Sequence, residues 1–277
     1  MDRLANRYHP MTGTPFQADE TYREYAPCDA LKPYIRCFWG TETPVYPRNI
    51  QPECGIVIPD TCMDIIFDMN FTRDAFFATF CGLDDTSQIT WGQKEAEKTA
   101  TFGIRFYAWT AVLFADGDMR HTQNARMSCA AFSGAIERAL KPYMTEFDNI
   151  HNTIQRAEKV LLGLLRKDSA DHNVLNAIDM MLMTHGRARI GDLTGYTGIT
   201  QRTLERDFER MLGLSPKRFS SLLRYQMVWQ EIASGHFHML DAVEKYGYTN
   251  QAHLLHDFRK RHLMNPGEAV RFAVEHK

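Results

Sequence analysis

Two short sets of polar residues carry the chemistry most readily read from this chain. Gln201, Arg202, Glu205 and Arg206 make the first; Asn250, Gln251, His253 and His256 make the second. Arg, Gln, Asn and Glu hydrogen-bond base edges in the major groove, where each base pair shows its own donor and acceptor pattern. Each set opens a helix behind the same punctuation, Gly198 then Thr200 and Gly247 then Thr249. Glycine accepts the left-handed backbone of a tight turn, and a Thr hydroxyl caps the first turn of the helix that follows. Leu204 and Phe208, like Leu254 and Phe258, are four apart and project from the opposite helix face into a small core. One such polar residue alone reads as a solvated helix face. Two sets, each at the start of the second helix of a helix-turn-helix unit, read as a duplex-DNA interface made by Thr200, Gln201, Arg202, Glu205, Arg206, Thr249, Asn250, Gln251, His253 and His256.

The elements that must hold these faces repeat along the chain. Asp192-Leu193-Thr194 before Gly198 is echoed by Asp241-Ala242-Val243 before Gly247, about fifty residues later. Between the units Ser215-Pro216 opens a helix, with Ser as cap and Pro at the first position, that runs to about Ser234 and stops at Gly235. At 1.5 Å per residue it spans roughly 27–30 Å, enough to set two reading helices about one turn of B-DNA apart. A leading helix is predicted over 173–184.

This segment resembles the DNA-binding domain of the AraC family of bacterial transcription regulators. The resemblance rests on Gly198, Thr200, Leu204, Arg206, Phe208 and Gly213-Leu214-Ser215-Pro216. It continues through Gly247-Tyr248-Thr249-Asn250-Gln251-Ala252-His253-Leu254, Phe258-Arg259-Lys260 and Pro266. Thr194 and Val243 stand where the family usually has Ala, His256 where it has Arg, and Leu263 where it has Gly. The resemblance implies a regulator that binds double-stranded DNA and acts on RNA polymerase.

A chain of 277 residues suits two domains, and 44% hydrophobic with 24% charged residues is ordinary for a globular protein. The net charge of −2 is unevenly divided, since residues 170–277 carry 14 Lys and Arg against 12 Asp and Glu. Positive charge is thus only mildly concentrated where DNA would lie, and strong sequence-independent binding is not implied. The opening residues show no signal peptide and no apolar run reaches membrane-spanning length, so a cytoplasmic location is expected. Six cysteines (Cys28, Cys37, Cys54, Cys62, Cys81, Cys129) are widely spaced, which reads as reduced, mostly buried thiols. No metal motif, phosphate loop or nucleophile–base signature is visible, so neither a cofactor nor an enzymatic reaction is expected.

The front half reads as short strands, 34–39, 55–58, 63–67, 76–80 and 100–106, separated by turns such as Pro59-Asp60 and Gly82-Leu83-Asp84-Asp85. Residues 1–20 read as an irregular lead-in, 109–115 as more helical, and helices are predicted over 127–144 and 151–167. In the latter Ile154, Ala157, Leu161, Leu164 and Leu165 form an apolar stripe that either packs on the sheet or joins a homodimer. The charged stretch 166–171 separates a sensor or dimerisation domain, 1–168, from the DNA-binding domain, 171–277. The fold class is therefore α+β: an antiparallel β barrel or sandwich with flanking helices, then an all-α domain with two helix-turn-helix units.

Arg23-Glu24-Tyr25-Ala26-Pro27, Phe38-Trp39, Ile58-Pro59-Asp60 and Gly103-Ile104-Arg105-Phe106-Tyr107 are similar to an uncharacterised N-terminal domain found on one branch of the AraC family. That domain is cupin-like in layout, which implies a sensing role. Trp39, Phe67, Trp91, Phe106 and Trp109 are candidates to line an apolar cavity for a small-molecule effector, with Arg105 a partner for an acidic group. A thiol redox sensor and an alkyl-transfer DNA-repair protein are the alternatives. The second needs zinc-binding cysteine pairs that this spacing does not supply.

Overall fold

Alternating apolar and polar residues in the front half build a sheet with two unlike faces. The computed structural model describes residues 1–11, 22–46, 54–91 and 97–275, without the side chains of 54–56, 89–91 and 272–275. Its strands are β1 (Arg23–Tyr25), β2 (Ile35–Gly40), β3 (Cys54–Val57), β4 (Cys62–Asn70), β5 (Ala75–Cys81), β6 (Gln88–Trp91), β7 (Thr99–Tyr107) and β8 (Arg126–Ser128). Six form one antiparallel sheet in the order β1-β2-β7-β4-β5-β8, and β3 pairs with β6 in a second. On one face of the large sheet Phe38, Ile65, Phe67, Phe80, Phe102, Ile104 and Phe106 are completely buried. Helix α2 (Cys129–Thr145) covers this face, with Phe132 stacked on Phe80 at 3.9 Å.

Strand alternation turns every second residue the other way. That second face carries Cys37, Trp39, Asp64, Thr101 and Arg105, with Asp64 directly across from Arg105 in the β4–β7 register. The Trp39 indole lies flat over Gly103, where a Cβ would come within 2.1 Å of it. A side chain at 103 would displace the indole.

Helix α3 (Ile150–Leu164) buries Ile154, Ala157 and Leu161 against the sheet domain, with Leu164 and Leu165 half-buried. This stripe is therefore a packing face. Residues 166–169 are exposed, and Asp171 then caps α4 (His172–Met183) through the main-chain N–H groups of Asn173 and Val174.

Two expectations are corrected. Residues 2–7, read as part of an irregular lead-in, form helix α1 (Asp2–Arg7). Its Leu4, Ala5 and the following Tyr8 are buried, and Arg3 pairs with the buried Asp179 of α4 at 3.0 Å. Six residues are too few to establish a helical period, so burial rather than pattern stabilises it. Residues 109–115, read as helical, contain only a short 3-10 turn, Ala111–Leu113. The run from Ala108 to Ala115 is wholly buried, and packing selects its path.

The C-terminal half is all helix: α5 (Ile190–Thr197), α6 (Gln201–Leu212), α7 (Pro216–Ser234), α8 (Met239–Lys245), α9 (Gln251–His262) and α10 (Pro266–Glu275). The α5–α6 turn is made by Gly198 at φ 71° and the α8–α9 turn by Gly247 at φ 66°. Helix α7 begins behind Ser215, whose hydroxyl accepts from the N–H of Arg218, and ends at Gly235 at φ 78°. It packs on α6, α9 and α10, so both units share one interior.

Helix α9 ends on Leu263, at φ 63° and 58% exposed, where the resemblance leads one to expect Gly. A side chain with a Cβ is disfavoured in this left-handed conformation. Leu263→Gly should therefore stabilise the chain by about 1 kcal/mol. Urea unfolding of the two proteins reads this, and a destabilised variant would show that the Leu263 side chain contributes packing that outweighs the strain.

Candidate nucleic-acid interface

The two faces that the sequence marks out emerge at the first turns of α6 and α9. Thr200 caps α6, its hydroxyl accepting from the N–H of Thr203 at 3.2 Å. From there Gln201, Arg202 and Arg206 are exposed and Glu205 is half-exposed, while Leu204 and Phe208 are completely buried on the reverse side. Gln201 donates to Glu205 at 2.8 Å, and Arg206 Nε donates to Asp207 at 3.1 Å, which directs these side chains along the face.

The second unit differs in its cap. The sequence pattern puts Thr249 in that role, but Asn250 fills it and accepts from the N–H of His253 at 2.8 Å. Asn caps at least as well as Thr, so the helix starts one residue later. The Thr249 N–H instead donates to His253 Nδ1 at 3.3 Å. In the neutral ring this puts the proton on Nε2. Thr249, Asn250, Gln251, His253 and His256 are all exposed.

The basic run that ends α9 divides by face. Arg259 and Lys260 are exposed, whereas Arg261 and His262 are buried. Arg261 Nη2 donates to Ser221 Oγ at 2.9 Å and lies 3.5 Å from Asp257. His262 Nδ1 lies 2.6 Å from the Tyr225 hydroxyl, and burial pushes its pKa down to about 4.

The six residues proposed for an effector cavity are not on one surface. Phe67, Phe106 and Trp109 are completely buried in the core, and the Trp91 side chain lies outside the described residues. Trp39 and Arg105 do meet on the opposite sheet face. Asp64 accepts from Trp39 Nε1 at 2.8 Å and from Arg105 Nε at 3.0 Å. Among the described residues Arg105 Nη1 is buried without a hydrogen-bond partner, 3.9 Å from both Asp60 and Glu24. Burial raises Asp60 to about 7 despite the attraction of Arg105. Burial also pushes the thiols of Cys37, Cys81 and Cys129 up to about 12, which disfavours the thiolate that a redox switch requires. A separate cleft of about 610 Å³ opens between α1, α4, α7 and α8, with Arg7, His185, Met227, Lys245 and Tyr246 among its walls.

Two capped helices, each with a polar exposed face and an apolar buried one, on a shared core define a helix-turn-helix DNA-binding protein. Residues 193–271 match a family described as a helix-turn-helix domain, and residues 23–128 match a domain of unknown function (DUF6597). The chain therefore carries an AraC-type helix-turn-helix domain behind a domain of unknown function, the organisation of a DNA-binding regulator. No curated protein matches it. Among solved structures it is similar to ToxT of Vibrio cholerae O395, at 12% identity and TM-score 0.42, covering 85% of this chain and 97% of that one. It is also similar to unsaturated fatty acid bound wild-type ToxT of Vibrio cholerae (10% identity, TM-score 0.41), covering 79% of this chain and 91% of that one. A third is Vibrio cholerae ToxT bound to (E)-4-(8-methylnaphthalen-1-yl)but-3-enoic acid (10% identity, TM-score 0.41), covering 92% of this chain and 96% of that one. At this level of likeness the fold assignment rests on the strands and helices of this chain.

The buried His262 makes the second unit pH-sensitive. Its folded pKa is depressed below the unfolded value of 6.5, so the unfolded chain takes up the proton first as pH falls. The contribution to stability is complete above 6.5 and is lost as pH falls towards 4. Between pH 7 and 5 this amounts to about 2 kcal/mol. Urea unfolding should show that loss in the wild type and a smaller one in His262→Gln. Identical pH responses would mean that His262 is not held neutral in the folded protein.

Proposed function

We propose that this chain is a sequence-specific transcription regulator that reads duplex DNA with α6 and α9. One observation carries the reading: both second helices turn hydrogen-bonding side chains outward while their reverse faces share one interior across α7. A helix-turn-helix protein places the N-terminal part of its second helix against base edges. Gln201, Arg202, Glu205 and Arg206, and Asn250, Gln251, His253 and His256, occupy that part of α6 and α9. Residues 171–277 would form the reader, acting on RNA polymerase in the cytoplasm without an enzymatic step. A second copy of the chain is not required to set two reading helices on one duplex, so homodimerisation would add sites to an interface that one chain already contains.

Residues 1–168 would supply the sensing input. The polar sheet face supports this, because a buried guanidinium nitrogen without a hydrogen-bond partner among the described residues leaves room in the bonding scheme for a polar guest. A small-molecule effector bound there would exchange partners with Asp60, Asp64 and Glu24.

Selection from a pool of random duplexes should recover a bipartite sequence. Arg202→Ala or Arg206→Ala should weaken binding by about 1–3 kcal/mol, with preference relaxed at one base pair. Base substitutions under α6 should cost more than those under α9, because α6 presents two exposed arginines at its start and α9 presents histidines there. Full affinity in both Arg variants, or equal sensitivity of the two half-sites, would remove α6 as the main reader.

A further inference from the structure

The C-terminal ends of both reading helices are attached to the sheet domain, and to the same place in it. The last carbonyl groups of an α-helix have no partner within the helix. In α6 the Arg210 carbonyl accepts from the N–H of Met119 at 2.8 Å. In α9 the Arg261 carbonyl accepts from the N–H of Ser87 at 2.7 Å and from its hydroxyl at 2.6 Å. Met119 and Ser87 belong to two loops of the N-terminal half that are bonded to each other. Asp85 accepts from Asn124 Nδ2 at 2.9 Å and from Gln123 Nε2 at 3.0 Å, and its own N–H donates to Asn124 Oδ1 at 3.0 Å.

Asp85 also bonds the reader directly. Its carboxylate accepts from Arg218 Nη2 at 3.1 Å, at the start of α7, and its carbonyl accepts from Arg261 Nη1 at 3.0 Å, at the end of α9. Arg218 Nη1 donates to Gln123 as well. Asp85 is buried, and its bond to Arg261 forms out of water, where an unmatched partner is costly. At the end of α6 the contact is equally close. Gly213, at φ 74°, leaves no room for a side chain, since a Cβ would lie 2.6 Å from both the Met119 carbonyl and Thr122 Oγ1.

We infer that Asp85 is a positioning residue for DNA reading: the node of loops 83–87 and 119–124 holds the distal ends of α6 and α9 and thereby sets the spacing and angle of their reading ends. The shared helix α7 joins the two units at their cores, but a helix end free of that node would swing about its packed middle. The node closes the frame from the far side. On this account the sheet domain is part of the DNA reader in geometry, although it touches no base, and it determines how far apart two half-sites must lie.

The inference rests on the regulator reading, and its test separates the two. Duplexes carrying the selected half-sites at their native separation are compared with duplexes in which one base pair is inserted between them. That insertion rotates and shifts the second half-site relative to the first. The full-length wild type should lose about tenfold in affinity on insertion, because neither a fixed reader nor a stiff duplex accommodates it. Asp85→Ala and Arg218→Met should bind the native spacing less tightly yet lose much less on insertion, and should bind a duplex with the α6 half-site alone as the wild type does. Arg218 is more than half exposed, so its replacement leaves the core intact if Asp85→Ala does not fold. An equal insertion penalty in the wild type and in the folded variants overturns the inference, as does a wild type with no preference for spacing. Absence of any selective binding by the wild type overturns the regulator reading, and the inference with it.

Discussion

Eleven of the nineteen residues of α7 are buried, around nearly its whole circumference, and the geometry of the reading half follows from that. A helix enclosed on most of its sides needs a core around it. Here Phe219, Leu222, Leu223, Val228 and Trp229 are enclosed by two helix-turn-helix units that would otherwise each be too small to bury much apolar surface. The units are thus halves of one interior. Gln226, fully buried, extends the same helix into the other domain, with Nε2 donating to the Pro59 carbonyl and Oε1 accepting from the N–H of Met11. A single element sets the relation of the two readers and presents them to the sheet domain.

The reading half is legible in the sequence because its signals are local. Gly198, Thr200, Ser215, Pro216 and Gly235 each act on the turn of backbone they occupy, and the leading helix predicted over 173–184 forms at His172–Met183. The one local miss, Thr249 in place of Asn250 as cap, arose because both residues can do the same job. The fate of the basic run 259–262 was not legible. Only the fold shows that Arg259 and Lys260 face outward while Arg261 and His262 face Ser221 and Tyr225.

The front half was legible as strands and not as a site. The aromatic candidates for an effector cavity and Arg105 lie on opposite faces, because Phe67 and Phe106 follow one phase of the strand alternation and Trp39 and Arg105 the other. Arg105 finds Asp64 across the β4–β7 pair, a partner that spacing along the chain does not reveal. Helix α1 and the Asp85 node were missed for a related reason. The first has too few residues to show a period. The second joins Asp85 to Arg218 and Arg261, more than a hundred residues away, through a stretch that the sequence marks only as a turn.

Exposed donors at two helix starts on one buried frame are a geometric claim about DNA, and it is tested by chemical modification of guanine N7 in the major groove. Methylation protection on a selected duplex should show two protected windows on one face of the DNA, centred about one helical turn apart, with the stronger protection under α6. A single window, protection confined to the minor groove, or windows on opposite faces would contradict the account.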